Sequence, residues 1–193
     1  MAQTSTTILS SKSHKADITV TEGASFTAST KTIATTSTSL ANLAQYDVIS
    51  ITGTTNNNQS FTVKSVATDG LSIVVEETVT DESSDGSTDT VIDHVGFVTD
   101  KQKGDGYYSQ PDGLHTVAYQ YDTSVNAETS IRMQGTLATT PTEDDWFDIS
   151  NTSPTPDQST TIYSYNFTGN FVWVRAKITG MTAGSITSIQ LNN

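Results

Sequence analysis

The sequence has no cysteine, four prolines, few basic residues and no long apolar run. The absence of cysteine excludes disulfides and thiol chemistry, and with them the disulfide-stapled secreted domains. Nine Lys and Arg residues stand against 21 Asp and Glu residues, which gives a formal net charge of −12. Since nucleic acids and anionic membranes attract basic surfaces, this balance predicts partners of neither kind. No segment approaches the roughly 20 apolar residues of a membrane-spanning helix.

Residues that favour helices are also scarce, with only 7 Leu in 193 positions against 36 Thr and 24 Ser. Thr is β-branched and suits the pleated, half-exposed surface of a strand. Apolar residues make up 34% of the chain and alternate with polar ones in short segments, most clearly around Phe171 and Trp173. A period of two is typical of β-strands, so the sequence predicts an all-β protein.

Strand and turn signals predict two small antiparallel β domains. Residues 17–99 hold short strands separated by turn sequences such as Thr68-Asp69-Gly70, and we expect a small barrel or sandwich there. Residues 100–106 are polar and contain two glycines, which predicts a linker. Residues 107–193 carry about six strands and are predicted to form a β-sandwich or jelly-roll-like unit.

The second domain contains two alternating segments, Thr160–Phe167 and Asn170–Ile178, separated only by Thr168-Gly169. This spacing predicts a tight hairpin. Two small domains of this composition have thin cores, and association of copies is a common way to bury more apolar surface. We therefore expect a homo-oligomer, with a trimer as the first candidate.

Residues 1–16 are polar and rich in Ser and Thr, with one isolated apolar pair, Ile8 and Leu9. One interpretation is a frayed terminus. The other is a flexible arm that becomes ordered against a partner, with Ile8 and Leu9 as its docking anchor.

The sequence contains no recognisable catalytic set. Serine is abundant, but no GxSxG sequence is present. The three histidines, His14, His94 and His115, lack the spacing of zinc ligands. We therefore expect neither enzymatic activity nor a cofactor.

One acidic run, Glu143-Asp144-Asp145 with Asp148, could be considered as a hydrolase pair. Glycoside hydrolysis needs two carboxylates held about 5–9 Å apart across a cleft. Neighbours along one turn point in different directions, so we interpret the run as a solvated turn leading into Trp146. A cation bound to this loop is the alternative.

The loop containing Asp81, Ser83, Asp85 and Gly86 imitates the first half of an EF-hand calcium loop. The twelfth position of such a loop should be a bidentate Glu, but it is Ile92 here. We predict an exposed acidic turn, with calcium binding through Asp81, Ser83 and Asp85 as the alternative.

Aromatic residues concentrate in the second predicted domain. Because strand side chains alternate between faces, we expect about half of them in the core and half outside. The candidates for an exposed aromatic surface are Tyr107, Tyr108, Tyr163 and Trp173. Such surfaces stack on sugars or form protein interfaces, so a glycan is one candidate ligand.

Three segments follow one another in the second domain: GDGYYSQPDGLHTVAYQY, TLATTPTEDDWFDI and NFTGNFVWVRAKITGMTAGSITSIQLNN. In this order they resemble the C-terminal module of virion structural proteins of tailed bacteriophages, especially T4-like phages of marine bacteria and cyanobacteria. The resemblance covers residues 104–193. Residues 17–98 resemble, more loosely, a small β-domain of phage structural proteins.

The resemblance implies a non-enzymatic part of the virus particle, assembled in the host cytoplasm and exposed on the particle exterior. A capsid decoration protein on the outer head surface is the first expectation, and a collar, tail or baseplate component is the alternative. The partners would be the major capsid protein or the tail and collar proteins. A second alternative, based on the aromatic residues, is a carbohydrate-binding module that recognises host surface glycans.

Overall fold

The computed structural model describes residues 5–108 and 113–192. Residues 1–4 of the predicted arm, residues 109–112 of the second predicted domain and the terminal Asn193 lie outside the described residues. The longest helical segment in the described part is the four-residue 3-10 turn Asp105–Tyr108, so the predicted all-β fold is confirmed. In the same part of the chain, no helix is long and apolar enough to cross a bilayer.

The described residues form sixteen strands, which pair antiparallel. In chain order they are β1 (Ser5–Leu9), β2 (Lys12–Ser13), β3 (Ile18–Val20), β4 (Ser25–Thr27), β5 (Thr32–Ala34), β6 (Asp47–Thr52), β7 (Ser60–Val66), β8 (Ser72–Val75), β9 (Thr90–Val98), β10 (Gln102–Lys103), β11 (Leu114–Tyr121), β12 (Ser130–Thr136), β13 (Phe147–Asp148), β14 (Tyr163–Thr168), β15 (Trp173–Thr179) and β16 (Ser185–Asn192).

The strands belong to two compact units. Lys15–Phe97 form one of them, which we call the inserted unit. Met1–His14 and Val98–Asn193 together form the other, which we call the discontinuous unit. Described residues near both ends of the sequence therefore belong to the same unit.

The N-terminal segment is an edge of one sheet in the discontinuous unit, which differs from the predicted flexible or docking arm. β1 pairs with β16, with Leu9 opposite Ile189, and β2 pairs with the start of β16. Leu9 is buried, with 7% exposure, and Ile8 is half-buried. The physical reason is that β16 offers an open edge, and Leu9 completes the apolar surface beside it.

In the inserted unit the strand order is β3-β9-β6-β7-β8-β5-β4. Each of these strands contributes a buried side chain to one apolar core, namely Val20, Phe26, Ile33, Ile49, Phe61, Ile73 and Ile92. A single sheet whose strands all line one core is strongly curled, as in a small barrel. The β7–β8 hairpin turns at Gly70, which has a φ of +70° and donates its N–H to the Ala67 carbonyl (2.9 Å).

The discontinuous unit contains two groups of paired strands. One has the order β1-β16-β11-β14, with β2 also on β16. In the other, β12 pairs with β13 and β15, and β10 pairs with β15. Both groups bury one apolar face, formed chiefly by Val117, Tyr119, Tyr121, Ile131, Met133, Val174, Ala176 and Ile178. This arrangement agrees with the predicted β-sandwich.

The predicted hairpin across Thr168-Gly169 is wrong. β14 pairs with β11, whereas β15 pairs with β12, so the chain crosses from one sheet to the other here. The packing of Phe171, which is only 8% exposed, explains the crossing. A Cβ at Gly169 would lie 2.4 Å from the Phe171 ring, so only glycine allows the ring to turn inward at this point.

The predicted linker, residues 100–106, is part of the discontinuous unit. Gln102 and Lys103 pair with Val174 and Trp173 of β15. Gly104 and Gly106 donate their N–H groups to the carbonyls of Val172 (3.0 Å) and Phe171 (2.9 Å). A polar, glycine-containing segment is typical of linkers, but glycine also allows one backbone to approach another closely.

The packing of Leu9 leads to a prediction for unfolding of the discontinuous unit. We expect Leu9→Ala to lower its free energy of unfolding by about 2–3 kcal/mol, because the truncation leaves a cavity. The neighbouring half-buried Ile8 provides a matched control, and Ile8→Ala should cost less than about 1 kcal/mol. Denaturant titration followed by tryptophan fluorescence measures both, because both tryptophans, Trp146 and Trp173, belong to this unit. Equal losses in the two variants would contradict the packing.

In the inserted unit, Glu82 ties a loop to the β-structure. Its carboxylate accepts hydrogen bonds from the N–H groups of Thr55 (2.7 Å) and Asn56 (3.0 Å) and from the Asn57 side chain (2.8 Å). Its backbone exchanges two hydrogen bonds with Phe26. Partial burial raises the pKa of Glu82, but the three hydrogen bonds lower it more, and the result is a pKa below the usual value.

The depressed pKa of Glu82 predicts a pH-dependent contribution to stability. A folded-state pKa below the unfolded one gives stability that is present above the unfolded value of 4.5 and lost as pH falls through the folded value. At pH 7 we expect Glu82→Gln to lower the free energy of unfolding by about 1 kcal/mol, and with it the melting temperature. The difference in melting temperature between the original protein and the variant should disappear as pH falls below the unfolded value of 4.5. Glu76→Gln is the control, because Glu76 makes only a partly exposed ion pair with Lys64 (3.3 Å). A Glu82→Gln gap that stays constant down to pH 3 would count against this assignment.

Candidate functional site

An exposed cluster of aromatic and lysine side chains lies on the discontinuous unit. It consists of Lys101, Lys103, Tyr107, Tyr108 and Trp173, and we call it the aromatic–lysine patch. Lys103 is directly opposite Trp173 in the β10–β15 pair. Because side chains alternate along an extended segment, Lys101 extends to the same side as Lys103.

Two glycines allow the patch to form. A Cβ at Gly104 would lie 2.4 Å from the Phe171 carbonyl oxygen, and one at Gly106 would lie 2.4 Å from that of Asn170. The chain therefore runs directly against residues 170–172 as it enters the 3-10 turn at Asp105. That turn then brings Tyr107 and Tyr108 beside Trp173.

The rings of the patch are in contact with one another. The Tyr107 ring centroid is 5.0 Å from that of Trp173 and 5.2 Å from that of Tyr108, which it meets edge to face. Lys103 Nζ lies 4.1 Å from the Tyr107 centroid and 5.6 Å from that of Tyr108. Lys101 Nζ lies 4.6 Å from the Trp173 centroid. These distances are typical of cation–π contacts.

One ring of the patch, Trp173, is held in place, and the two tyrosine rings are exposed. Trp173 is half-buried, and its indole N–H donates to the Thr139 carbonyl (3.0 Å), which holds the ring in place. Tyr107 and Tyr108 are 44% and 55% exposed. Such a surface can bind a ligand by stacking and through ammonium and hydroxyl groups.

Three of the four predicted surface aromatic residues therefore come together. The fourth, Tyr163, lies on β14 and stacks on Tyr121 with ring centroids 5.4 Å apart. Its hydroxyl donates to Asp157 (2.6 Å), which raises the pKa of Tyr163. It belongs to a different sheet from Trp173.

Further along β15, Arg175 is buried beneath a second aromatic ring. Its guanidinium donates to both carboxylate oxygens of Glu143 (2.6 and 2.7 Å) and to the Gln134 side chain (3.0 Å). The guanidinium carbon lies 4.2 Å from the Trp146 ring centroid. Arg175 is only 4% exposed, so its charge is neutralised inside the protein.

The acidic run at 143–148 does not form a carboxylate pair around a cleft. Glu143 binds Arg175, whereas Asp145 accepts hydrogen bonds from Thr142 N–H (2.7 Å) and hydroxyl, which lower the pKa of Asp145. Asp148 binds Arg132 and Gln134. Partial burial raises the pKa of Asp148, but these two partners outweigh that effect and lower it overall.

Two of the candidate calcium ligands, Asp81 and Asp85, make separate contacts with the backbone. Asp81 accepts the N–H of Ala28 (2.7 Å), and Ser83 is exposed. Asp85 accepts the N–H groups of Thr88 (2.8 Å) and Ser87 (2.9 Å), and these bonds lower its pKa to about 2. Across residues 5–108 and 113–192, no group of three Asp, Glu or His side chains is placed to hold a metal.

The two histidines that lie on strands, His94 on β9 and His115 on β11, are buried. His94 accepts the Lys15 N–H (3.3 Å), and it lies in the inserted unit. His115 stacks on Phe167 with ring centroids 4.9 Å apart, and its Nε2 donates to the Gly169 carbonyl (3.2 Å). His14 is half-buried beside β16.

A shallow groove of about 400 Å³ lies between β13 and β14. Its apolar lining includes Phe147, Phe167 and Phe171. Each of the two flanking strands pairs with a neighbour on one side only within the described sheets. Phe147 is 45% exposed, so the groove presents one accessible aromatic ring among mostly polar lining residues between two sheet edges.

Sequence reasoning did not find the Arg175–Glu143 pair, whose members are 32 residues apart. The alternation of β15 indicates only that Arg175 shares a face with Trp173. Lys101 and Lys103 form the longest basic cluster of the sequence, but nothing local indicates that they lie over aromatic rings. Both features depend on how strands pair.

The buried ion pair gives a prediction with an internal control. We expect Arg175→Lys to lower the free energy of unfolding by about 2–4 kcal/mol, since lysine cannot reproduce the bidentate and stacked contacts. Arg132→Lys changes a more exposed pair with Asp148 and should cost less than about 1 kcal/mol. Denaturant titration of both variants tests this difference, and a similar cost in both would contradict it.

No known protein family matches this sequence, and no curated protein matches it either. Among solved structures, the chain is similar to the K1 cleaved adhesin domain of Lys-gingipain from Porphyromonas gingivalis W83. The two share 11% sequence identity with a TM-score of 0.35, over 92% of this chain and 98% of that one. A similarity this distant carries no argument about the fold or the function of this chain.

Proposed function

We propose that this chain is a non-enzymatic structural protein on the exterior of a tailed-bacteriophage particle. Capsid decoration is the first candidate role, and a collar, tail or baseplate position is the alternative. The observation that carries the proposal is that the described residues of 104–193, a stretch that resembles a virion module, lie in one compact unit together with the described residues of 1–14 and 98–103. An independent module is expected to fold as such a unit.

The proposed mode of action is binding to a neighbouring particle protein. The groove between β13 and β14 has two sheet edges, a mostly polar lining and one exposed phenylalanine ring, which suit the addition of an extended segment. Backbone hydrogen bonds would supply affinity, and Phe147 would supply an apolar contact. Repetition over the particle multiplies a weak contact into a durable one. Association of this chain into a homo-oligomer, with a trimer as the first candidate, belongs to the same proposal.

The aromatic–lysine patch favours a second candidate, recognition of host surface glycans. Tyr107 and Tyr108 are exposed beside the fixed Trp173 ring. Aromatic rings on a rigid β-surface bury much area with little loss of side-chain entropy. A particle protein can carry both functions, because the patch and the groove involve different side chains.

The particle role predicts the location of the protein and the effect of one charge. Mass spectrometry of purified DNA-filled heads and isolated tails should find the chain in heads for the decoration role. We expect Phe147→Lys to reduce particle incorporation at least tenfold, because it places a charge in the groove. Leu137→Lys is the matched control, since Leu137 is 65% exposed and does not line the groove.

Unchanged melting temperatures would show that both variants fold. Absence of the chain from heads and tails alike would overturn the particle role. Equal incorporation of the two variants would overturn the groove as the docking surface. Light scattering of the purified protein tests the oligomer separately.

A further inference from the structure

We propose that the aromatic–lysine patch binds acidic saccharides, whose sugar rings carry carboxylate or sulfate groups. This inference rests on the glycan-binding candidate and not on the particle role. It names a chemical class of ligand from the positions of two lysines relative to three rings.

Lysine ammonium groups cover one face of Trp173 and one face of Tyr107. A neutral sugar stacks its C–H groups on an uncovered aromatic face. In the patch, Lys101 Nζ lies over Trp173 at 4.6 Å and Lys103 Nζ lies over Tyr107 at 4.1 Å. These two ring faces are therefore occupied by cations, and a neutral sugar would have to displace them.

The two ammonium groups present oriented hydrogen-bond donors that carry a positive charge. A lysine ammonium carries three donors and keeps its charge when it rests on a ring. The ring orients the ammonium, so part of the ordering entropy is already lost before a ligand arrives. An anionic group is the complement of two cations held in this way.

Tyr108 is the ring of the patch on which a sugar can stack. Tyr108 is 55% exposed and meets Tyr107 edge to face, so it offers an aromatic surface at the rim of the patch. Lys103 Nζ lies 5.6 Å from the Tyr108 centroid. A pyranose stacked on Tyr108 would direct a carboxylate or sulfate substituent toward Lys103. Stacking and charge then act on one residue of the saccharide.

The charge of the residues around the patch does not by itself favour an anion. Five of the nine basic residues lie in or beside the strand group of β10, β12 and β15, namely Lys101, Lys103, Arg132, Arg175 and Lys177. Arg132 and Arg175 are paired with Asp148 and Glu143. Asp100, Asp105 and the acidic run at 143–148 lie beside the same strands, so the attraction for an anion comes from the two patch lysines at short range and not from the net charge of the region.

Nucleic acid is the other anionic ligand that stacks on aromatic rings. Its affinity depends on several phosphate contacts along a basic track. The patch contains two lysines, and Asp100 precedes Lys101 directly. A saccharide with one or two anionic groups fits this charge better than a phosphodiester chain.

The test is calorimetric titration of the full chain at 50 mM salt with four probes. They are tetragalacturonic acid, a heparin-derived tetrasaccharide, neutral maltotetraose and a ten-nucleotide single-stranded DNA. We expect one or both acidic saccharides to bind at least tenfold more tightly than maltotetraose and the DNA. Raising the salt to 500 mM should weaken this binding several-fold. Binding of tetragalacturonic acid would show that carboxylates suffice, whereas binding of the heparin fragment alone would indicate a need for its sulfate groups.

Variants assign the binding to the patch. Lys101→Ala/Lys103→Ala should reduce the affinity for the acidic saccharide at least tenfold. The control Lys12→Ala/Lys64→Ala makes the same change in net charge elsewhere and should leave the affinity within twofold. Tyr108→Ala should also weaken binding. Melting temperatures of all variants verify that each is folded.

Several outcomes would overturn the proposal. They are equal binding of maltotetraose, preferred binding of the DNA, insensitivity to the patch lysines, or no binding of either acidic saccharide at millimolar concentration. Particle incorporation of the Lys101→Ala/Lys103→Ala variant separates the two functions. Normal incorporation without saccharide binding supports a distinct sugar site, whereas loss of incorporation would make the patch a docking surface and overturn the proposal.

Discussion

The burial of Phe171 is the constraint on which the discontinuous unit depends. Its ring packs so closely against Gly135 and Gly169 that a Cβ at these positions would lie 2.6 Å and 2.4 Å from ring atoms. Burial of a phenylalanine contributes about 2–3 kcal/mol, which is more than any surface contact of the patch. The same residue lines the groove and, through its carbonyl oxygen, holds Gly106. The crossing between sheets and the groove therefore depend on the side chain of one residue, and the position of Tyr107 depends on the backbone of the same residue.

The cations of this acidic unit are held in three different ways. Arg175 is buried against Glu143 and Trp146, and Arg132 makes a more exposed pair with Asp148. The patch lysines instead rest on aromatic rings, a contact that contributes about 0.5–1 kcal/mol at an exposed site. Arg175 is therefore committed to the fold, because removing one partner of a buried pair costs several kcal/mol. The patch lysines, whose ring contacts are weaker, are the cations that the proposed saccharide site uses.

Local sequence patterns predicted where strands and turns lie better than they predicted which strands pair. The alternation of β11 and β15 predicted strands, and Asp69-Gly70 predicted a turn, because both depend on contacts within a few residues. The prediction of a hairpin at Thr168-Gly169 was wrong because strand pairing depends on contacts between residues far apart in the sequence. A short glycine-containing connection can return the chain to the same sheet or pass it to the facing one, and both leave the period of two unchanged. Residues 100–106 gave a similar ambiguity, since glycines serve linkers and close backbone contacts alike.

The candidate site was only partly predictable for the same physical reason. Composition and periodicity determined an all-β chain with a negative charge, and they indicated Tyr107, Tyr108 and Trp173 as surface candidates. Only the tertiary structure brought these three together with Lys101 and Lys103, separated Tyr163 from them and paired Arg175 with Glu143. It also paired the strand that contains Leu9, β1, with the last strand, β16. Side-chain period is a local property of the backbone, whereas strand partners are chosen by packing between residues far apart in sequence, which no local pattern encodes.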